Sequence, residues 1–215
     1  MIKLLAIEAS PRRSSSRSSG GSRIFLEEFR KLRPEVAIDR LDLWTTELPD
    51  FCGVTISAKY ATLAGRALDA SEARAWSTIA AVVDRLMRAD AVLIATPMWN
   101  FGIPYKLKHW IDLITQPGLT FSFTPQVGYR PLLSSKPTIV ILSSAGDYSA
   151  GPSFGRPDPA TPYLRAALGF IGLTNLTFVP IGPTIGTTDA VEHARKRANE
   201  CLVALARTLT GELIA

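Results

Sequence analysis

The chain has 215 residues, enough for one domain with a sizeable core, and its 47% hydrophobic and 20% charged content is that of a globular fold. Twenty-four Lys+Arg against nineteen Asp+Glu give a net charge of +5, which suits small anions but is too diffuse for a nucleic-acid surface. Cys52 and Cys201 are the only cysteines, and His109 and His193 lie far apart, which excludes a disulfide framework, a zinc knuckle and a Cys–His nucleophile pair.

The N-terminal MIKLLAI is too short for a signal peptide and has its arginines after the apolar run rather than before it. No stretch reaches the roughly 18 apolar residues of a membrane span, so no membrane partner and a cytoplasmic location are expected. Lys3–Ile7 reads as a first strand, continuous rather than alternating, as in a parallel sheet covered on both faces. The loop EASPRRSSSRSS follows. It has no glycine before Gly20, so neither a dinucleotide fingerprint nor a Walker A loop is present. Its hydroxyls can instead cap the next helix and donate to an anion held at that helix's amides. A flexible turn with solvated arginines is the competing reading.

Val36–Leu41 is more mixed and predicts an edge strand. Residues 42–68 lack clear periodicity and read as an irregular excursion. Asp69 and Glu72 form a potential capping box, followed by a helical face of Trp76, Ile79, Ala80, Val83 and Met87. Ala91–Ala95 is a third strand. The loop after it, PMWNFG, exposes Met98, Trp99, Asn100 and Phe101, which is costly unless a flat apolar object covers them or they fold back into the core or an interface. Pro104 is placed to open a helix carrying Leu107, Trp110, Ile111 and Ile114 on one side. Thr138–Leu142 is the fourth strand, and Ser143, Ser144, Ala145 and Gly146 form its loop. Leu176–Ile181 is the fifth. A last helix aligns Val191, Ala194, Ala198, Cys201, Leu202, Leu205 and Leu209, placing Cys201 in the core, with Gly211 as its cap.

This alternation predicts an α/β fold in a single domain, residues 1–215. It is a flavodoxin-like three-layer sandwich whose five-stranded parallel sheet has order 2-1-3-4-5. Ligands then bind beyond the carboxyl ends of the first, third and fourth strands.

PMWNFGIPYKLKHWIDLI, then GLTFSFT and TPYLRAALGFIG, resembles the FMN-dependent NADH:quinone oxidoreductases known as azoreductases, over Ile2 to about Leu209. The family pattern PMYNFxIP is met with Trp99 in place of Tyr. The third loop departs from the usual S-R-G-G, reading S-S-A-G, so the Arg is lost. The resemblance implies that Ser10, Ser16, Arg17 and Ser18 bind the FMN phosphate region. It places Met98, Trp99, Asn100 and Phe101 beside the flavin, with Ser143, Ser144, Ala145 and Gly146 as the third FMN loop. Phe121, Phe123 and Phe170 would line the substrate side, partly across a homodimer interface; ordinary core packing is their other reading. The implied reaction is a ping-pong transfer of hydride from NADH or NADPH through flavin N5 to a quinone or azo compound, with no metal and no protein nucleophile. Two rivals use the same fold. One is a flavodoxin-type electron carrier or flavin-binding signalling protein, to which the basic charge balance is unfavourable; the other is an FMN reductase or nitroreductase-like enzyme.

Overall fold

The computed structural model describes residues 2–213. Five parallel strands form the sheet: β1 (Lys3–Glu8), β2 (Ala37–Asp42), β3 (Ala91–Pro97), β6 (Thr138–Ser143) and β7 (Leu176–Ile181). A separate antiparallel hairpin pairs β4 (Phe121–Thr124) with β5 (Gly128–Pro131). The sheet order is β2-β1-β3-β6-β7, which is 2-1-3-4-5 when only its own strands are counted. The three central strands are buried almost throughout because helices cover both faces, which is why they read as unbroken apolar runs.

Helix α1 (Arg17–Leu32) and helix α6 (Thr188–Glu212) cover one face, where Phe25, Phe29, Leu202 and Ala206 pack on Leu4, Leu93 and Ile141. Helices α3 (Ala70–Met87), α4 (Tyr105–Ile114) and α5 (Ala160–Phe170) cover the other. There Leu86, Trp110, Ile111, Leu164 and Leu168 pack on Ile7, Ile94 and Val140. The edge strands differ from the centre. On β2, Asp39 receives both Nε and Nη2 of Arg85, at 2.9 and 2.7 Å, and Arg40 is exposed. On β7, Pro180 is exposed and the Arg165 guanidinium lies 4.4 Å from the Phe178 ring centroid.

Several expectations are corrected. Residues 42–68 are not irregular throughout, since helix α2 (Gly53–Leu63) lies within them. Its buried face consists of Thr55, Ala58 and Ala61, small residues that leave little hydrophobic period to read. Pro104 is the residue before α4 rather than its first helical position. Gly211 does not cap α6, which runs on to Glu212 and ends against Leu213. Cys201 is exposed; the buried stripe passes beside it through Ala198, Leu202 and Ala206. Met87 is likewise exposed, and Leu86 takes the core position.

The capping box at Asp69 is formed, and its Glu72 does more than cap. The buried Glu72 carboxylate accepts from Arg66 Nη2 and the Ser57 hydroxyl, both at 2.5 Å, so it ties α2 to the start of α3. Arg66 first, then Ser57 and the Asp69 amide, hold its carboxyl down to about 2, against an ordinary value of 4.5. A carboxyl lowered in the folded state stabilises the fold above 4.5 and loses that contribution as pH falls toward 2. Glu72→Gln is therefore expected to melt below the parent at pH 7, with the two melting temperatures converging near pH 2 in a thermal-melt series.

Candidate active site

Four loops meet at the carboxyl edge of the sheet. The first leaves β1 at Glu8 and passes a 3-10 turn at Arg13–Ser15 before Ser16 caps α1. The Ser16 hydroxyl accepts from the Ser19 amide at 3.3 Å and lies 3.1 Å from the Ser18 hydroxyl. Trp44 fixes the start of this loop by donating its indole N–H to the Ala9 carbonyl at 3.0 Å, and its ring meets Tyr105 edge-on. Neither aromatic was found from the sequence, because Trp44 lies in the segment without periodicity.

The second loop is a two-residue turn. Trp99 and Gly102 exchange both backbone hydrogen bonds, at 2.8 and 2.9 Å, while Asn100 and Phe101 stand at φ +47 and +66. Positive φ at both central positions is the type I′ geometry, which Asn accepts and Phe does not. Holding Phe101 there costs about 1–2 kcal/mol, and it leaves the ring 52% exposed. The third loop is locked to the fourth. The Ser144 amide donates to the Ile181 carbonyl and the Thr184 amide to the Ser144 carbonyl, each at 3.0 Å. The Ser144 hydroxyl donates to the Gly146 carbonyl at 2.8 Å. Met98 joins the second loop to the third by donating its amide to the Ser143 carbonyl at 2.7 Å.

Between these loops lies a cavity of about 390 Å³. Ser10, Ser16 and Arg17 line one end, and Met98, Trp99 and Ser143 to Ala145 line the rest. Arg12 lines it too, as do Thr184 and Ile185, which were not assigned to the site from sequence. Ser18 is fully buried behind Ser16. Asn100 and Phe101 stand on the exposed turn, and Gly146 lies on an adjoining cavity. The hydroxyls and the unpaired first-turn amides of α1 suit a phosphate, and the Met98–Phe101 turn suits a flat ring, so the residues present fit FMN.

Phe121, Phe123 and Phe170 are not brought to this cavity. They gather with Tyr129 into a cluster whose ring centroids are 4.8 to 5.9 Å apart. Phe170 ends α5 just before β7 begins, and the Leu133 amide donates to the Ile171 carbonyl. The cluster therefore sits toward the amino edge, about one strand length or ~20 Å from the loops of its own chain. Phe121 is buried, whereas Phe123 and Tyr129 are 47% and 60% exposed.

Glu8 closes β1 beside Ser10, in a recess shared with Arg13, Arg23, Arg40 and Asp42. Burial pushes its carboxyl up from 4.5, partly opposed by the nearby Ser19 and Ser22 hydroxyls and by Arg40. Its Oε2 has no hydrogen-bond partner among the described residues. A carboxyl raised in the folded state costs stability once pH exceeds 4.5, and the cost is complete above its folded value. Glu8→Gln is accordingly expected to melt above the parent at pH 8 and level with it below pH 4.5, as thermal melts would read.

A family model described as the flavodoxin-like fold matches residues 2–204. The FMN-dependent NADH:quinone oxidoreductase 1 of Bradyrhizobium diazoefficiens is 50% identical over 198 residues, covering 92% of this chain and 95% of that protein. The FMN-dependent NADH:quinone oxidoreductase of Desulfotalea psychrophila is 42% identical over 205 residues, covering 95% of each. Among solved structures, an azoreductase from Bacillus anthracis superposes with a TM-score of 0.86 at 28% identity, over 97% of this chain and 100% of that one. An FMN-dependent NADH-azoreductase from the same organism, in complex with FMN, gives 0.81 at 27% identity, over 96% and 100%. With its sheet order, its carboxyl-edge loops and these likenesses in agreement, the chain belongs to the flavodoxin-like fold family and, within it, to the FMN-dependent NADH:quinone oxidoreductases.

Proposed function

We propose that this protein is an FMN-dependent NAD(P)H:quinone oxidoreductase that also reduces aromatic azo compounds, built on one domain. The observation that carries the reading is the carboxyl-edge cavity, with hydroxyl and amide donors at one end and the Met98–Phe101 turn at the other. Bound FMN supplies two-electron chemistry, accepting hydride from a nicotinamide and returning it to the acceptor. Ser10, Ser16, Arg17 and Ser18 hold the phosphate end, with Ser18 acting through the Ser16 hydroxyl it touches. Met98, Trp99, Asn100 and Phe101 flank the ring and exclude water from it. Ser143, Ser144, Ala145 and Gly146 present amides to its polar edge, where negative charge grows on reduction. Arg12 draws anionic ligands to the mouth.

The exposed Phe123 and Tyr129 with Phe170 supply the second wall of the substrate slot, on a partner copy of the chain. This homodimeric arrangement accounts for an aromatic cluster remote from its own cavity. No helix among the described residues is long and apolar enough to cross a membrane; the protein works in the cytoplasm and contacts neither membrane nor nucleic acid. NADH is the electron donor, as in the names of the relatives.

The test is anaerobic. Protein purified with FMN, or reconstituted with it, bleaches on adding NADH and regains its colour with a quinone. A protein that retains no FMN, or whose colour does not respond to either nicotinamide, overturns the proposal. An electron carrier would bleach with a reducing partner and not with NADH alone.

A further inference from the structure

Beside the cavity just described lies a larger one, of about 680 Å³. It is bounded by the loop after β6, the loop after β7 and the first turns of α6, and it shares Ala145 and Ile185 with its neighbour. None of the roles proposed above uses it, apart from the Ala145 and Gly146 backbone on its rim.

Its rim repeats the construction of the Trp99–Gly102 turn. Ser153 and Arg156 exchange both backbone hydrogen bonds, at 2.9 and 3.0 Å, with Phe154 and Gly155 at φ +50 and +75. Phe154 again occupies a position that favours Gly, Asn or Asp, and the turn holds its ring 95% exposed. Ile185, 75% exposed, stands on the opposite loop. Two apolar side chains raised over one cavity are disfavoured in water unless a ring is inserted between them.

The charges lie along α6. Arg195 pairs with Glu192 and Lys196 with Glu200, whereas Arg197 and His193 line the cavity. Arg197 has no side-chain partner among the described residues. Asp147, on the facing loop, accepts from the Ser149 amide at 2.9 Å, and Arg197 helps hold its carboxyl below the ordinary range. The cavity thus combines an aromatic platform, apolar walls, and the Arg197 guanidinium and His193 imidazole of α6, with the Asp147 carboxylate on the facing loop.

We propose that this cavity is a second ring site, contiguous with the flavin slot, which takes an aromatic ring bearing an anionic group. Phe154 and Ile185 cover the ring, and Arg197 with His193 binds the anion. This inference rests on the oxidoreductase reading and adds a specificity-determining subsite to it. Two sources carry that chemistry: the adenosine phosphate end of the nicotinamide donor, and the sulfonated or carboxylated ring of an acceptor.

The FMN-loaded protein is titrated by calorimetry with adenosine 5′-monophosphate and, separately, with naphthalene-2-sulfonate. At least one probe is expected to bind, and the one that does identifies the source. Arg197→Gln and Phe154→Gly should each weaken it about tenfold, the loss of one charge-assisted or stacking contact. Phe154→Gly also relieves the positive φ, so misfolding will not mimic the result. Lys196→Gln removes the same charge from the next position on α6 and should change nothing. With NADH in fixed excess, reduction of neutral p-benzoquinone should be unaffected in Lys196→Gln, which stands outside the cavity. Failure of both probes to bind, or equal binding to parent and variants, overturns the subsite, as does equal weakening by Lys196→Gln. Failure of the parent to reduce p-benzoquinone counts against the oxidoreductase reading instead, and the titrations still judge the cavity.

Discussion

Replacing Gly182 by alanine is expected to strip FMN from the protein while leaving most of its helical circular dichroism intact. A Cβ at this position would be driven into the Gly146 carbonyl oxygen and would stand 2.9 Å from the Ser144 hydroxyl. The first obstacle is backbone, so no side-chain rotation can relieve it. The Ser144 amide and carbonyl are bonded to Ile181 and Thr184, and its hydroxyl to Gly146, so a shift at residue 182 displaces the entire third loop. Overpacking of this kind costs about 1–3 kcal/mol. Spent on the loop that faces the flavin, it translates into on the order of a tenfold to hundredfold loss of FMN affinity. Fluorescence titration of the apoprotein with FMN measures it, and parent-like affinity would show that the third loop does not contact the cofactor. The β-sheet core lies below this loop and should keep its far-ultraviolet signature.

The second large effect concerns the phosphate end. Ser16→Ala with Ser18→Ala is expected to weaken FMN retention on the order of tenfold to a hundredfold, from loss of the Ser16 hydrogen bond to a charged group, at about 1.5–3 kcal/mol, together with the Ser18 hydroxyl that orients it. Removing Ser16 also removes the α1 cap, which costs about 1 kcal/mol of stability. The cap loss lowers the melting temperature of the apoprotein, whereas the phosphate loss appears only as FMN affinity. Riboflavin, which lacks the phosphate, separates them: its binding should change far less than that of FMN. Equal losses for both flavins would sink the phosphate assignment.

The parts of the molecule that were legible share a physical cause. Strands β1, β3 and β6 are buried on both faces, so hydrophobicity alone marks them, and the capping box at Asp69 is a pattern of short range. Helix α2 was illegible because it packs through Thr55, Ala58 and Ala61. Cys201 and Met87 were misplaced by a single position around their helices, which is the resolution limit of a periodic pattern with mixed residues at its border. Gly211 lies in an α6 turn that simply continues through it. At the site, Ser10, Ser16, Met98, Trp99 and Ser143 follow strands in sequence, so topology alone assembles them. Phe121, Phe123 and Phe170 belong to connections that return to the amino edge, and no spacing rule reveals at which end of a sheet such a return closes. The exposed Met98–Phe101 loop was legible, but the positive φ values of Phe101 and Phe154 break the usual turn preferences, which is why neither the type of that turn nor the existence of the 153–156 turn could be read.

The two edge strands bear on how copies of this chain can meet. An open sheet offers unpaired amides along its outer strands, and those invite continuation into a neighbour. Here β2 presents the Arg85–Asp39 pair and the exposed Arg40 at one margin, while Pro180 removes an amide from β7 at the other and Arg165 lies over Phe178. Edge-to-edge growth into a ten-stranded sheet would have to strip charges on one side and accommodate a missing donor on the other. Association along the margins of the sheet is thereby disfavoured. This also keeps a crowded solution of this protein from assembling into ribbons.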